Sequence, residues 1–145
     1  MIALIQRVSE ASVTIDNATV GAIGTGVLAL VAAEPNDDDT RAARLAERVL
    51  NYRVFPDAEQ RMNLSAITAS HAVLAVPQFT LAADTRRGNR PGFSSACPPA
   101  RAEPLFDVFV AALKRQHGPI ETGRFGADMQ VTLVNDGPVT FSLTA

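Results

Sequence analysis

Apolar residues along the chain occur in short runs and alternations that are typical of strands. Residues 12–16 alternate apolar with polar side chains and lead through a turn to residues 19–20, which predicts a hairpin near the start of the chain. Residues 27–33 form an unbroken apolar run, short enough for a central strand buried on both faces. Residues 72–76 repeat this pattern up to Pro77, which cannot donate to a strand ladder and therefore marks a strand end or a sheet edge.

The C-terminal segment predicts two further strands joined by a turn. Apolar residues alternate from Met129 to Leu133 and again from Val139 to Leu143. Between them, residues 135–138 read Asn-Asp-Gly-Pro, a composition that favours a turn. We therefore expect the C-terminus to form a strand pair.

Two segments show helical spacing instead. The first follows three aspartates at 37–39, which are good N-terminal caps, and its apolar positions are Ala42, Leu45, Ala46, Val49 and Leu50. The second ends at Gly118-Pro119, and its apolar face is Leu105, Phe106, Phe109, Val110 and Leu113. Because a proline inside a helix costs about 3 kcal/mol, we place the start of this helix at residues 100–104, with Pro104 in its first turn.

These elements predict an α+β fold in a single domain over residues 1–145, with mixed β-sheets closed into a barrel-like core and two main helices outside. The length of 145 residues is close to the commonest domain size, and 47% hydrophobic with 19% charged residues is ordinary for a globular chain. Residues 84–99 contain charges, Gly and Pro without apolar periodicity, which predicts a loop.

The sequence shows no sign of export or membrane insertion. The first residues already include Gln6 and Arg7, and the longest apolar run, residues 27–33, is far shorter than the roughly 18 residues that a membrane span needs. The single cysteine, Cys97, has no partner for a disulfide or a zinc site, which fits a reducing compartment. We expect a cytoplasmic protein with no membrane partner.

The formal net charge of −2 argues against a protein that wraps nucleic acid over many phosphates, because such binding depends on clustered Lys and Arg. No DNA partner is expected. Any contact with RNA should be confined to a small patch.

The usual catalytic and metal-binding constellations are missing. His71 opens a buried strand and His117 ends a helix, so both are interpreted as structural. Cys97 lies in a loop and is interpreted as a small buried or half-exposed thiol. The aspartates at 37–39 are explained as helix caps, and the glycines within residues 21–26 do not form a phosphate-binding loop. We therefore predict no metal and no cofactor.

Two short segments stand out as candidate sites. Residues 77–81, Pro-Gln-Phe-Thr-Leu, follow a buried strand, and residues 135–140 read Asn-Asp-Gly-Pro-Val-Thr. A strand end presents free backbone N–H groups that could hold an oxyanion, and Thr80 adds a hydroxyl beside them. The residues alone favour a plain turn at Gly137-Pro138.

The two segments resemble the motifs of the D-aminoacyl-tRNA deacylase family, which are Ser-Gln-Phe-Thr and Asn-x-Gly-Pro-Val-Thr. The likeness spans essentially the whole chain and includes residues 1–8, 11–13, 57–64 and 122–129. One departure is Pro77 in place of the family's serine, which removes a hydroxyl and a backbone donor.

The resemblance implies a homodimer whose active site lies at the subunit interface and is reached by the Gly137-Pro138 turn of the partner subunit, with that peptide cis. Such a turn would exclude the side chain of an L-amino acid and admit a D-amino acid, and glycine would also pass. Arg7 matches a residue that fixes the partner's turn.

The resemblance also implies roles for residues around the ester and around the terminal adenosine. Gln78, Phe79 and Thr80 match the wall where the scissile ester sits, and Phe125 and Met129 match residues around the terminal adenosine of the tRNA 3′ end. We hypothesise that backbone N–H groups near Phe79 and Thr80 stabilise the oxyanion while water attacks, helped by the ribose 2′-hydroxyl. Thr80 as a covalent nucleophile is the lesser option, because the sequence places no base beside it.

The role of three loop arginines stays open. Arg86, Arg87 and Arg90 could contact acceptor-end phosphates, or could simply lie in a solvated loop.

Two alternative functions also stay open. The chain could instead be a noncatalytic module that binds an RNA terminus, or a relaxed editor that hydrolyses L-alanyl-tRNA.

Overall fold

The computed structural model describes residues 1–86, 88–94 and 96–145. Its elements in chain order are β1 (Ile2–Ile15), β2 (Ala18–Ile23), β3 (Gly26–Ala32), α1 (Asp39–Asn51), β4 (Phe55–Pro56), β5 (Met62–Leu64), α2 (Ala66–Ala69), β6 (Ala72–Pro77), a 3₁₀ helix (Phe79–Ala82), α3 (Pro99–Gln116), β7 (Ile120–Thr122) and β8 (Gln130–Thr144).

The long strand β1 organises a six-stranded mixed sheet. Its first half pairs with β3, its second half pairs with β2, and β8 follows it along the opposite edge, all antiparallel. Strand β6 lies parallel to β3, and β7 lies parallel to β6. The sheet nearly closes on itself, because a Cβ added at Gly21 of β2 would lie 2.9 Å from the carbonyl oxygen of Thr122 in β7. The predicted α+β fold with a barrel-like core, the hairpin and the central strand are confirmed.

The prediction of a C-terminal strand pair is wrong. Residues 130–144 form one strand, and both of its halves pair with β1, from Gln130 opposite Thr14 to Thr144 opposite Ile2. The register shifts around residues 135–139, and the Gly137-Pro138 peptide within this stretch is cis. Alternating hydrophobicity reports which face of a strand is buried, but not which strand it pairs with. The proline was therefore mistaken for the turn of a hairpin, whereas residues 135–139 form a bulge within one strand, which is called the Gly137-Pro138 turn below.

Helix α1 begins as expected, with the Asp38 side chain accepting a hydrogen bond from the N–H of Arg41 at 2.8 Å. Asp37, by contrast, is not a helix cap. Its fully buried carboxylate accepts from the N-terminal ammonium of Met1 at 2.6 Å and from the N–H of Glu34 at 2.6 Å. A buried carboxylate needs such partners, so Asp37 ties the start of β1 to the approach of α1.

Helix α3 begins one residue before the expected range, at Pro99, and Pro104 lies in its second turn rather than its first. Pro104 therefore leaves the carbonyl of Ala100 without its intrahelical donor. Helix α1 packs against α3 on the outside of the sheet. The structure adds the four-residue helix α2 and the 3₁₀ helix, both too short to show periodicity in the sequence.

Candidate active site

Strand β6 delivers the first candidate segment to the end of the sheet. Residues 73–76 are buried between β3 and β7, and the N–H of Gln78 donates to the carbonyl of Val31 at 2.7 Å. The chain then leaves the sheet and turns into the 3₁₀ helix. The side-chain amide of Gln78 donates to the Thr80 hydroxyl oxygen at 2.6 Å. The hydroxyl of Thr80 is therefore already engaged by a neighbour, and that neighbour is an amide rather than a base.

The backbone at this strand end offers two donors. Among the described residues no acceptor pairs with the N–H of Phe79 or of Thr80, whereas the N–H of Leu81 donates back to the carbonyl of Gln78 at 3.1 Å. Both Phe79 and Thr80 are exposed. Unpaired N–H groups beside a cleft suit an anionic oxygen, which is what ester hydrolysis generates.

A cleft of about 710 Å³ opens beside this strand end. It is lined by Gln78, Phe79, Phe125 and Met129 together, so the structure brings these predicted residues to one place. The sulfur of Met129 is held close to the backbone, because a Cβ at Gly123 would lie only 2.8 Å from it. Glycine at 123 is thus what lets the methionine reach the cleft wall.

A further part of the cleft lining was missed by the sequence analysis. It comprises Phe93, Ser94, Ala96, Cys97, Pro98, Pro99 and Ala102, from the loop before α3 and from its first turns. Phe93 lies in a segment without periodicity, and the only signal for it was a large aromatic residue among Gly, Pro and Ser. Cys97 is buried, as expected for a small packed thiol.

The second candidate segment lies elsewhere. Gly137 and Pro138 are exposed, and neither lines the cleft of its own chain. The side-chain amide of Asn135 donates to the carbonyls of Arg7 at 2.9 Å and Val139 at 3.2 Å, so it closes the base of the turn. The turn is therefore fixed by polar contacts on its inner side while its tip faces outward.

Arg7 braces this turn within its own chain. Its Nε donates to the carbonyl oxygen of Asp136 at 3.1 Å and lies 2.8 Å from the Asp136 carboxylate, while Nη1 donates to the carbonyl of Val54 at 2.7 Å. The resemblance assigned Arg7 to the turn of the partner subunit. The contacts seen here hold its own turn, and contact with a partner stays a prediction.

The two histidines are engaged in packing. The Nε2 atom of His117 lies 2.7 Å from the carbonyl oxygen of His71, and the ring of His71 packs on Phe55 with 4.5 Å between ring centres. Neither residue lines the cleft, in agreement with structural roles.

Among the described residues, no group of three or more His, Cys, Asp or Glu side chains could hold a metal ion. No helix within the described ranges is both long and apolar enough for a membrane span.

The loop arginines differ from one another. Arg86 binds the carboxylate of Asp84 through Nε and Nη2, both at 2.8 Å, and this guanidinium holds the pKa of Asp84 well below its usual range. Arg90 is exposed, and Arg87 lies outside the described residues. The ion pair reduces the charge that Arg86 could offer to a phosphate.

Comparison with known proteins places the chain in a family. The family model described as D-Tyr-tRNA(Tyr) deacylase matches residues 4–144. D-aminoacyl-tRNA deacylases from Methylococcus capsulatus and Teredinibacter turnerae are 62% and 57% identical to the chain, over 99% and 97% of its length and 94% and 97% of theirs.

Solved structures agree with this. A c-Myc DNA unwinding element binding protein superposes with a TM-score of 0.95 at 36% identity, covering 100% of this chain and 99% of that one. A probable eukaryotic D-amino acid tRNA deacylase superposes with a TM-score of 0.86 over 99% and 98% of the two chains, and at 14% identity it supports the fold alone. The chain belongs to the D-aminoacyl-tRNA deacylase family, whose members are hydrolases.

Proposed function

We propose that this chain hydrolyses the ester that joins a D-amino acid to the 3′-terminal adenosine of tRNA, and releases the free D-amino acid and the tRNA. The observation that carries the proposal is a pair of N–H groups, on Phe79 and Thr80, for which the described residues provide no acceptor. Phe79 lines the cleft together with Phe125 and Met129, and Thr80 is the next residue in the chain. An aromatic ring and a thioether offer an apolar surface to an adenine base, and the N–H groups at the neighbouring strand end are the donors proposed for the ester.

The chemistry relies on main-chain donors. Water attacks the ester carbonyl carbon, the carbonyl oxygen becomes an oxyanion held by the N–H groups of Phe79 and Thr80, and the ribose oxygen leaves with a proton. Each such donor is worth about 3 to 4 kcal/mol of transition-state stabilisation. The ribose 2′-hydroxyl relays the proton from the attacking water to the leaving ribose oxygen, since none of the described residues that line the cleft is a histidine. The side-chain amide of Gln78 holds the Thr80 hydroxyl oxygen at 2.6 Å.

Selection against L-amino acids comes from the Gly137-Pro138 turn of a second copy of the chain. Two observations support this: the turn does not line its own cleft, and Arg7, Asn135 and their partners hold it rigid with its tip exposed. A rigid tip placed over a partner's cleft would collide with the side chain of an L-residue, whereas a D-residue would point its side chain outward. Glycine has no side chain to exclude, so glycyl-tRNA should be hydrolysed as well.

The expected partners are the 3′ terminus of aminoacyl-tRNA and a second copy of the chain, in the cytoplasm. No metal or other cofactor takes part in the proposed reaction. Although one structural relative is named for a DNA element, the net charge of −2 favours a small contact with an RNA end over extended DNA binding.

A deacylation assay with D-tyrosyl-, glycyl- and L-alanyl-tRNA tests the proposal. Release of D-tyrosine and glycine but not of L-alanine is expected. Binding without release of any amino acid would identify a noncatalytic RNA-terminus module. Rapid release of L-alanine would identify a relaxed editor and would contradict exclusion by the turn.

A further inference from the structure

Two exposed aromatic rings stand together at the cleft. The side chains of Phe79 and Phe93 are 56% and 41% exposed, and their ring centres are 5.3 Å apart with the planes tilted by 49°. Among the described residues only Met62 and Val134 are comparably exposed large apolar side chains, and neither lines the cleft. Paired aromatic surface left open to water at a binding cleft indicates a contact with a ligand.

The local backbone fixes both rings. Phe79 opens the 3₁₀ helix, one residue after the end of β6. Phe93 follows Gly92, whose N–H and carbonyl exchange hydrogen bonds of 3.0 and 2.8 Å with Asp84. The carboxylate of Asp84 itself accepts two hydrogen bonds from the side chain of Arg86 and one from its backbone N–H. Each ring is therefore attached to a hydrogen-bonded backbone segment, which holds the two rings in place.

The pair is continuous with the proposed adenosine subsite. Phe79 and Phe93 line the same cleft as Phe125 and Met129. If the terminal adenosine occupies the Phe125 and Met129 side, as proposed above, the tRNA strand has to leave the cleft past other parts of its lining. The exposed pair is the part that offers aromatic faces to the nucleotide before the terminal adenosine.

We propose that Phe79 and Phe93 form a stacking platform for the base of the penultimate nucleotide of the tRNA 3′ end. Base stacking on aromatic rings needs no charge and tolerates any base, because every base has a π face. This suits a chain of net charge −2, in which the nearby Arg86 is already paired with Asp84. The inference rests on the proposed function for the position of the adenosine, and it adds a second subsite.

The test compares three esters of D-tyrosine: that of adenosine, that of the dinucleotide CpA, and that of a dinucleotide with an abasic sugar in place of the cytidine. The abasic compound keeps the linking phosphate and removes only the base. Hydrolysis is measured as kcat/KM, and affinity is measured with the matching non-hydrolysable 3′-amides. Phe93→Ala removes one ring of the platform, Phe93→Trp keeps an aromatic face, and Met62→Ala deletes an exposed apolar side chain that does not line the cleft.

For the wild-type protein, kcat/KM should be about tenfold higher for the CpA ester than for the adenosine ester. The abasic compound should lose most of this tenfold advantage. Phe93→Ala should abolish the advantage of CpA, whereas Phe93→Trp and Met62→Ala should retain it. The amides should show the same ratios in affinity, so the platform can be judged even if the wild-type protein hydrolyses no ester and the proposed function fails.

Three results would overturn the platform. An undiminished advantage of the abasic compound would show that the phosphate, and not the base, is recognised. An equal loss on all three compounds in Phe93→Ala would place Phe93 at the adenosine or the amino acid. A change in the sedimentation coefficient of Phe93→Ala would show that the pair is a contact between subunits.

Discussion

Arg7 holds Asp136 at two points, the carbonyl oxygen at 3.1 Å and the carboxylate at 2.8 Å, and so connects β1 to the turn that carries Gly137 and Pro138. A third contact, from Arg7 to the carbonyl of Val54 at 2.7 Å, fixes the guanidinium against the chain after α1. Because the guanidinium is planar and makes all three contacts at once, lysine cannot replace it fully.

Replacing Arg7 should weaken discrimination between mirror-image substrates more than it weakens hydrolysis. In Arg7→Ala the turn loses its brace, and L-tyrosyl-tRNA hydrolysis should rise about tenfold relative to D-tyrosyl-tRNA hydrolysis, which corresponds to roughly 1.4 kcal/mol. Rates of both substrates are compared with those of Arg44→Ala, which removes an exposed arginine paired with Glu47 on α1. An unchanged D-to-L ratio in a folded Arg7→Ala protein would show that the brace has no part in selection.

Removing the Thr80 hydroxyl should leave most of the activity. If the backbone N–H groups hold the oxyanion, Thr80→Ala loses only the contact with Gln78 and should keep kcat within about tenfold of the wild-type value. Single-turnover hydrolysis of D-tyrosyl-tRNA and tRNA affinity are measured together. Abolished turnover with intact tRNA binding would instead identify Thr80 as the nucleophile.

Pro77 should be replaceable by the family's serine at small cost. The N–H of Gln78 points to β3, so the nitrogen of Pro77 faces the other side, where β7 has already ended at Thr122. No ladder bond is therefore lost to the proline, and Pro77→Ser should change kcat/KM less than tenfold, about 1.4 kcal/mol. Pro77→Ala serves as the control that restores the N–H without a hydroxyl. A gain well above tenfold in the serine variant alone would show that the hydroxyl belongs to the catalytic site.

The loop arginines should contribute unequally to tRNA affinity. Arg90→Glu should weaken binding and make the dependence of affinity on salt shallower, because fewer counterions are released. Arg86→Glu should have a smaller effect on affinity, since Asp84 already pairs with that guanidinium. Binding of tRNA is titrated over a range of salt concentrations, with the exposed Arg115→Glu on α3 as the matched charge reversal. If the dependence of tRNA affinity on salt were the same for the wild-type protein and the three variants, the loop would be interpreted as solvated.

The sequence anticipated the elements whose burial pattern is unambiguous. The apolar runs of β3 and β6 and the spaced apolar face of α1 could be placed because each is long enough to show its periodicity. The position of Gln78 and Phe79 at the cleft could be predicted from β6, since a segment after a buried strand end must leave the sheet there. Long-range partners could not be placed in the same way. The pairing of both halves of β8 with β1 and the contact of Asp37 with Met1 depend on tertiary structure.

The part of the cleft lining that comes from the loop before α3 could not be predicted from sequence patterns, for a related reason. Phe93 and Cys97 come from an aperiodic loop, whose path depends on the pairing of Asp84 with Gly92 and on the start of α3. The role proposed for Gly137 and Pro138 came from the family resemblance. Their exposure and their absence from the cleft lining of their own chain are what a contribution to a partner's site requires.

The most direct test of the central claim is the single-turnover rate of deacylation of D-tyrosyl-tRNA and L-tyrosyl-tRNA by the same preparation. Exclusion of the L side chain by a rigid turn predicts that the D ester is hydrolysed at least about a hundredfold faster, a difference of roughly 2.7 kcal/mol in barrier height. Equal rates for the two esters would contradict the account.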